Sequence, residues 1–163
     1  MRNVLEFNLR RNKLELDTRP GEGSVMPLEI AMLQEEIKEF YDAKDLAERI
    51  DAMIDVRYVY EGTQLKYNYN FKPMDTNITK VVGEFHRLST SLVAEELGDD
   101  SQYLDKIMNK AWEIVCRINA LKVAELDANG KVIKQEGLPD ATQEIRELLE
   151  SMLTEEQDSP TKD

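Results

Sequence analysis

Apolar positions recur along this chain at intervals of three and four residues, a period that predicts helices. In Leu28–Phe40 the recurring positions are Ile30, Leu33, Ile37 and Phe40, with Glu35, Glu36 and Glu39 beside them. Ile50–Tyr60 is apolar almost all round, the mark of a helix buried in a core. It nevertheless carries Asp51 and Asp55, one turn apart. A third helix, Asn77–Leu97, presents Ile78, Val81, Val82, Phe85, Leu88, Leu92 and Val93 on one side. A fourth opens at Ser101 and buries Leu104, Ile107, Trp112, Val115 and Ile118. Asp140 is placed to cap a last helix packed through Ile145, Leu148, Leu149 and Met152, with Gln143 three residues on completing a capping box. The periodicity also allows a short helix from Val4 to about Lys13.

Polar and Pro/Gly-rich stretches separate these segments. Thr18–Pro27 reads as a loop, and the short charged link Tyr41–Glu48 suits an antiparallel helix pair. Gly62 is expected to end or loosen the second helix. Lys66–Thr76 then reads as a loop whose aromatics and Asn residues either stack on a base or pack the loop onto the bundle. Gly98 is expected to end the third helix. Asn129-Gly130 signals a turn, with Val123–Asp127 and Lys131–Lys134 forming a small hairpin or a plain loop around it. Thr154–Asp163 is polar, acidic and Pro-containing, and reads as a disordered tail. The pattern predicts one all-α domain over residues 1–153, a helical bundle of four to five helices, followed by the tail at 154–163.

Composition narrows the function classes. A chain of 163 residues suits a single core, and its net charge of −12 argues against a nucleic-acid or anionic-membrane surface. A nucleotide substrate is still compatible with that charge, because a bound metal ion inverts the local sign. Lone Cys116 lies in a helical pattern and reads as a small core residue in a reducing, cytoplasmic setting. No apolar run is long enough to span a membrane, and no signal-peptide pattern follows Met1. There is no internal repeat, P-loop, zinc-ligand cluster or serine-hydrolase elbow.

The acidic side chains of the first two helices carry the chemistry. A carboxylate held among apolar neighbours must be neutralised, paired or metal-bound, because an isolated buried charge costs more than folding can supply. Two helices that offer carboxylates to one bundle core are a known way to build a divalent-metal site. The plainer alternative is that Glu35, Glu36 and Glu39 form a solvated face while Arg57 pairs with Asp51 or Asp55. With 33 Asp and Glu in the chain, such an acidic cluster arises about once by chance, and Glu95-Glu96-Leu-Gly98-Asp99 is a second copy. Gly98 interrupts that copy, whereas the one at Glu35 keeps its helix and has a buried acidic helix close behind it.

Glu35-Glu36-x-x-Glu39, followed by Asp51-Ala52-x-x-Asp55-x-x-Tyr58-x-x-x-Gly62-Thr63, resembles the all-α nucleotide pyrophosphohydrolases of the MazG-like and phosphoribosyl-ATP pyrophosphohydrolase-like group. The resemblance implies magnesium, with manganese as a substitute, held by Glu36, Glu39 and Asp55. Asp51 is then an additional ligand, and Glu35 a ligand or general base. One departure is that Ala52, not an acid, stands three positions before Asp55, the acid being Asp51. In the second half, Glu84-Phe-His86-Arg87 resembles a family stretch near the nucleotide, but Ser89 and Leu92 replace the Asn and Lys that should follow. Asn119-Ala-Leu-Lys122, with its trailing Gly130-Lys-Val and Pro139-Asp140, matches the family's Asn-x-x-Lys run more closely.

The resemblance therefore implies that Asn119, Lys122 and Arg57 face phosphate. It also implies cleavage of a nucleoside triphosphate into monophosphate and pyrophosphate, and a homodimer or homotetramer with the site near the subunit interface. Other expectations stay open: the same site acting on phosphoribosyl-ATP, dUTP or a guanosine tetraphosphate, or a non-catalytic acidic helical partner protein. Arg10, Arg11 and Arg19 either approach phosphate or stay exposed.

Overall fold

The structure, a computed structural model, describes Val4 and residues 26–69, 76–98, 100–122 and 136–157. The described residues form helices α1 (Met26–Asp42), α2 (Leu46–Tyr69), α3 (Thr76–Glu96), α4 (Ser101–Leu121) and α5 (Ala141–Gln157), with no strand among them. The all-α bundle read from periodicity is what the chain forms. The N-terminal helix through Lys13, Arg10, Arg11 and Arg19, the 123–134 segment and the end of the tail lie outside the described residues.

Local chemistry sets the helix ends. Pro27 occupies the first turn of α1, where its missing N–H costs no hydrogen bond. Asp45 caps α2 by accepting from the Glu48 N–H at 2.9 Å, and Glu48 accepts in return from the Lys44 N–H at 2.7 Å. Gly98, at φ 79°, closes α3 in the left-handed conformation that glycine adopts without strain. Asp100 caps α4 through the N–H groups of Gln102 and Tyr103. Asp140 accepts from the Gln143 N–H at 3.1 Å, as expected. The reciprocal half of that capping box is missing, because the Gln143 side chain instead bonds Glu147 and Arg146.

Two boundaries differ from the sequence expectation. Helix α2 does not end or loosen at Gly62 but continues to Tyr69. Gly62 is buried in mid-helix, and the next residue, Thr63, is fully buried against α1, where its hydroxyl meets Glu29 at 3.1 Å. That tertiary contact outweighs the roughly 1 kcal/mol by which glycine disfavours a helix interior. Helix α5 likewise runs to Gln157, into the stretch read as tail.

Helix α2 is the centre of the bundle and packs on each of the other four helices. Its Ile50 and Ile54 are fully buried, and Met53, Val56 and Tyr58 nearly so. Around it, α3 contributes Val82 and Phe85, α4 Ile107 and Ala111, and α5 Ile145 and Met152. Full burial of one such large side chain stabilises by about 1.5–3 kcal/mol. Phe40 meets Phe85 edge-on at 5.3 Å, tying the end of α1 to α3. Cys116 is a buried core residue, as its helical context predicts.

Candidate functional site

Asp51 and Asp55 share one face of α2 because residues four apart are neighbours on a helix surface. Ile50 and Ile54, next to them in sequence, are fully buried, so the two acids stand at the edge of the core. Their face opens into a cavity of about 470 Å³. Helix α1 and its following turn supply Glu39, Asp42 and Ala43 to it, and α2 supplies Glu48, Asp51, Ala52 and Asp55. Asp140, Thr142 and Arg146, at the start of α5, close the remaining side. Six carboxylates thus face one guanidinium.

Burial first, and that imbalance second, set the electrostatics. Burial pushes the Asp55 carboxyl up to about 7, with the Asp51 and Glu39 charges adding to the rise and Lys122 opposing it. Asp51 is also raised, first by burial and then by Asp140 and Glu39, while the Thr142 hydrogen bond and Lys122 hold it down. The Thr142 hydroxyl donates to Oδ2 of Asp51, whereas Oδ1 is buried and has no hydrogen-bond partner among the described residues. A hard carboxylate oxygen in that condition suits a hard cation such as magnesium.

The structure brings some of the sequence-identified residues together. Glu39, Asp51 and Asp55 line the cavity, and Lys122 lies close enough for its charge to act on both aspartates. Lys122 is exposed just past the end of α4 in extended backbone, its N–H bonded to the Asn119 carbonyl at 3.2 Å, while Asn119 itself is buried. The Glu29–Thr63 bond fixes the α1/α2 register. Equal steps in opposite directions from it set Glu36 level with Val56 and Asp55, and Glu39 level with Met53 and Ala52. Glu36 is half-buried and Glu35 exposed, and neither lines the cavity. Among the described residues, no three carboxylate, imidazole or thiol side chains are gathered closely enough to hold an ion as they stand.

Arg57 is not at this site. Two residues beyond Asp55, it stands about 200° round the helix. There its guanidinium lies 4.0 Å from the centre of the Trp112 ring and pairs with Glu61 at 3.0 Å. The plainer sequence reading, in which Arg57 pairs with Asp51 or Asp55, is therefore corrected as well. Arg57 instead lines a separate cavity of about 440 Å³ between α2 and α3, together with Tyr60, Glu61, Phe85 and the exposed His86. Ser89 is buried in the α3 packing face and donates to the His86 carbonyl at 3.2 Å.

The sequence marks Asp140 as a helix cap and as part of the run trailing Lys122, and gives Thr142 and Arg146 no role, although all three form a wall of the acidic cavity. The Thr142–Asp51 bond joins residues 91 positions apart, a separation at which no helical period carries a signal. No family model matches the chain, and no curated protein or solved structure matches it.

Proposed function

We propose that the chain is a magnesium-dependent pyrophosphohydrolase that cuts a nucleoside triphosphate between its α and β phosphates. The observation that carries this reading is the half-buried Asp51–Asp55 pair on α2, which faces Glu39 across an acidic cavity within reach of the Lys122 charge. Asp55, Asp51 and Glu39 would hold the metal, with Glu36 joining from the level of Asp55 by side-chain rotation. Magnesium, or manganese in its place, supplies neutralisation of phosphate charge and a more acidic bound water. Glu35, an exposed carboxylate one turn from Glu39 and outside the cavity lining, would have to swing inward to take the water's proton as general base. The water oxygen bonds to the α phosphorus, the α–β bridging bond breaks, and monophosphate and pyrophosphate leave.

Lys122 is the cation for the departing pyrophosphate, and buried Asn119 beneath it braces the turn through its carbonyl. An apolar stripe of Val81, Leu88 and Leu92 left exposed on α3 supports association into the homodimer or homotetramer that belongs to the same reading. No helix among the described residues is long and apolar enough to cross a membrane. The test is a panel of ribo- and deoxyribonucleoside triphosphates with magnesium, extended to phosphoribosyl-ATP, dUTP and a guanosine tetraphosphate. Monophosphate and pyrophosphate are the expected products from a triphosphate. Release of orthophosphate and a diphosphate, or no turnover of any member of the panel, overturns the proposal.

A further inference from the structure

We infer that Thr142 is a positioning residue of the acidic cavity: its hydroxyl holds Asp51 by Oδ2, so that the buried Oδ1 is the atom presented to a divalent cation. This rests on the reading of the cavity as a magnesium site.

The two oxygens of Asp51 are treated differently. Oδ2 accepts the Thr142 proton, while Oδ1 is buried and has no hydrogen-bond partner among the described residues. Had Thr142 served only to satisfy a buried acid, the oxygen left over would still need water or a donor, because an unsatisfied buried carboxylate oxygen is costly. A cation at the cavity side of Asp51 gives that oxygen its partner, and a hydroxyl behind a metal-binding carboxylate is a common way to orient it. The charges around Asp51 run the same way. Asp140, Glu39 and Asp55 face it and Lys122 opposes them, so negative charge dominates there.

The hydroxyl is delivered from a fixed frame. Asp140 caps α5 through the Gln143 N–H, Arg146 reaches back to Asp45 at the start of α2 at 2.8 Å, and Ile145 is fully buried between them. The cap thus fixes the first turn of α5 itself, and the Arg146–Asp45 pair and buried Ile145 hold that turn to α2 on the C-terminal side of Thr142. Threonine's β-branch further narrows the directions its hydroxyl can take.

The probe is magnesium chloride alone with the full chain, read as the rise of Tm with concentration. Wild type should gain stability, because an ion that binds only the native state stabilises it by mass action. Thr142→Val keeps the shape and removes the donor, and should raise the half-saturating magnesium concentration by about ten- to a hundredfold. Thr142→Ser should stay within about twofold of wild type, consistent with rescue by the retained hydroxyl. In an Asp51→Asn background, Thr142→Val should add nothing, since the two residues act as one unit. Wild-type magnesium affinity in Thr142→Val, failure of serine to rescue, or a full effect of Thr142→Val on top of Asp51→Asn each overturns the inference while leaving the magnesium site standing. Thr142→Ala provides the same comparison should the valine variant not fold. A wild-type Tm that ignores magnesium overturns the metal reading and this inference with it.

Discussion

Replacing Asp55 by asparagine tests the electrostatic picture of the cavity without reference to turnover. The Asp55 carboxyl ordinarily titrates at 3.8 and is pushed up to about 7 in the folded chain, chiefly by burial and by the Asp51 charge. The folded state therefore holds the proton more tightly than the unfolded state. Where that is so, stability falls as pH rises from the unfolded value to the folded one and levels off above it. At about 1.36 kcal/mol per pH unit the full penalty is about 4 kcal/mol, of which about 2 kcal/mol develops between about pH 5.5 and pH 8. The asparagine side chain has no such titration and nearly the same shape. Urea unfolding of both proteins at those two pH values isolates the effect, and the lower value stays clear of the pI of about 4.6, where the chain carries no net charge to keep it soluble. Asp55→Asn should be the more stable protein at about pH 8, and its advantage should shrink by about 2 kcal/mol at about pH 5.5. An advantage that is the same at both pH values, or an asparagine variant less stable than wild type at the higher one, refutes the account of why this carboxyl is raised.

Lys122→Ala should lower kcat/KM by about ten- to a thousandfold with magnesium affinity little changed, while His86→Ala costs much less. If His86→Ala were the more damaging of the two in a folded protein, the cavity between α2 and α3 would be the nucleotide pocket. Arg57→Ala should destabilise by about 0.5–1 kcal/mol through loss of its stacking on Trp112 and leave kcat/KM within about twofold, as thermal unfolding and steady-state kinetics would show. A collapse of turnover at unchanged Tm would return Arg57 to the phosphate.

The helices were legible because burial in a bundle repeats every three to four residues, and Leu104, Ile107, Ala111 and Val115 keep that beat along α4. The acidic pair was legible for the opposite reason, since Asp51 and Asp55 break an otherwise apolar run. What escaped depends on partners distant in sequence. The end of α2 was misplaced because Gly62 looks like a stop signal until Thr63 is known to dock on Glu29. Thr142 and Arg146 look like ordinary positions in the first turns of a capped helix, and only the docking of α5 on α2 turns them to the cavity. The separation of Arg57 from the acidic cavity was legible in the sequence as well. A residue two places after Asp55 is on the far side of any α-helix, and Trp112, its partner there, already belongs to the neighbouring amphipathic pattern.

The central place of α2, in contact with every other helix of the described bundle, bears on how its acids can move. An element enclosed on all sides opens only when the whole domain opens, so its amides belong with the slowest to exchange with solvent. Asp51 and Asp55 ride on that element, while Glu39, Asp140 and Thr142 ride on segments that pack against it from different sides. Breathing of α1 or α5 can widen or narrow the cavity, but the α2 backbone that carries the aspartates stays put. Variation that retunes what the cavity accepts is therefore cheapest in the outer helices, with α2 as the anvil against which they close.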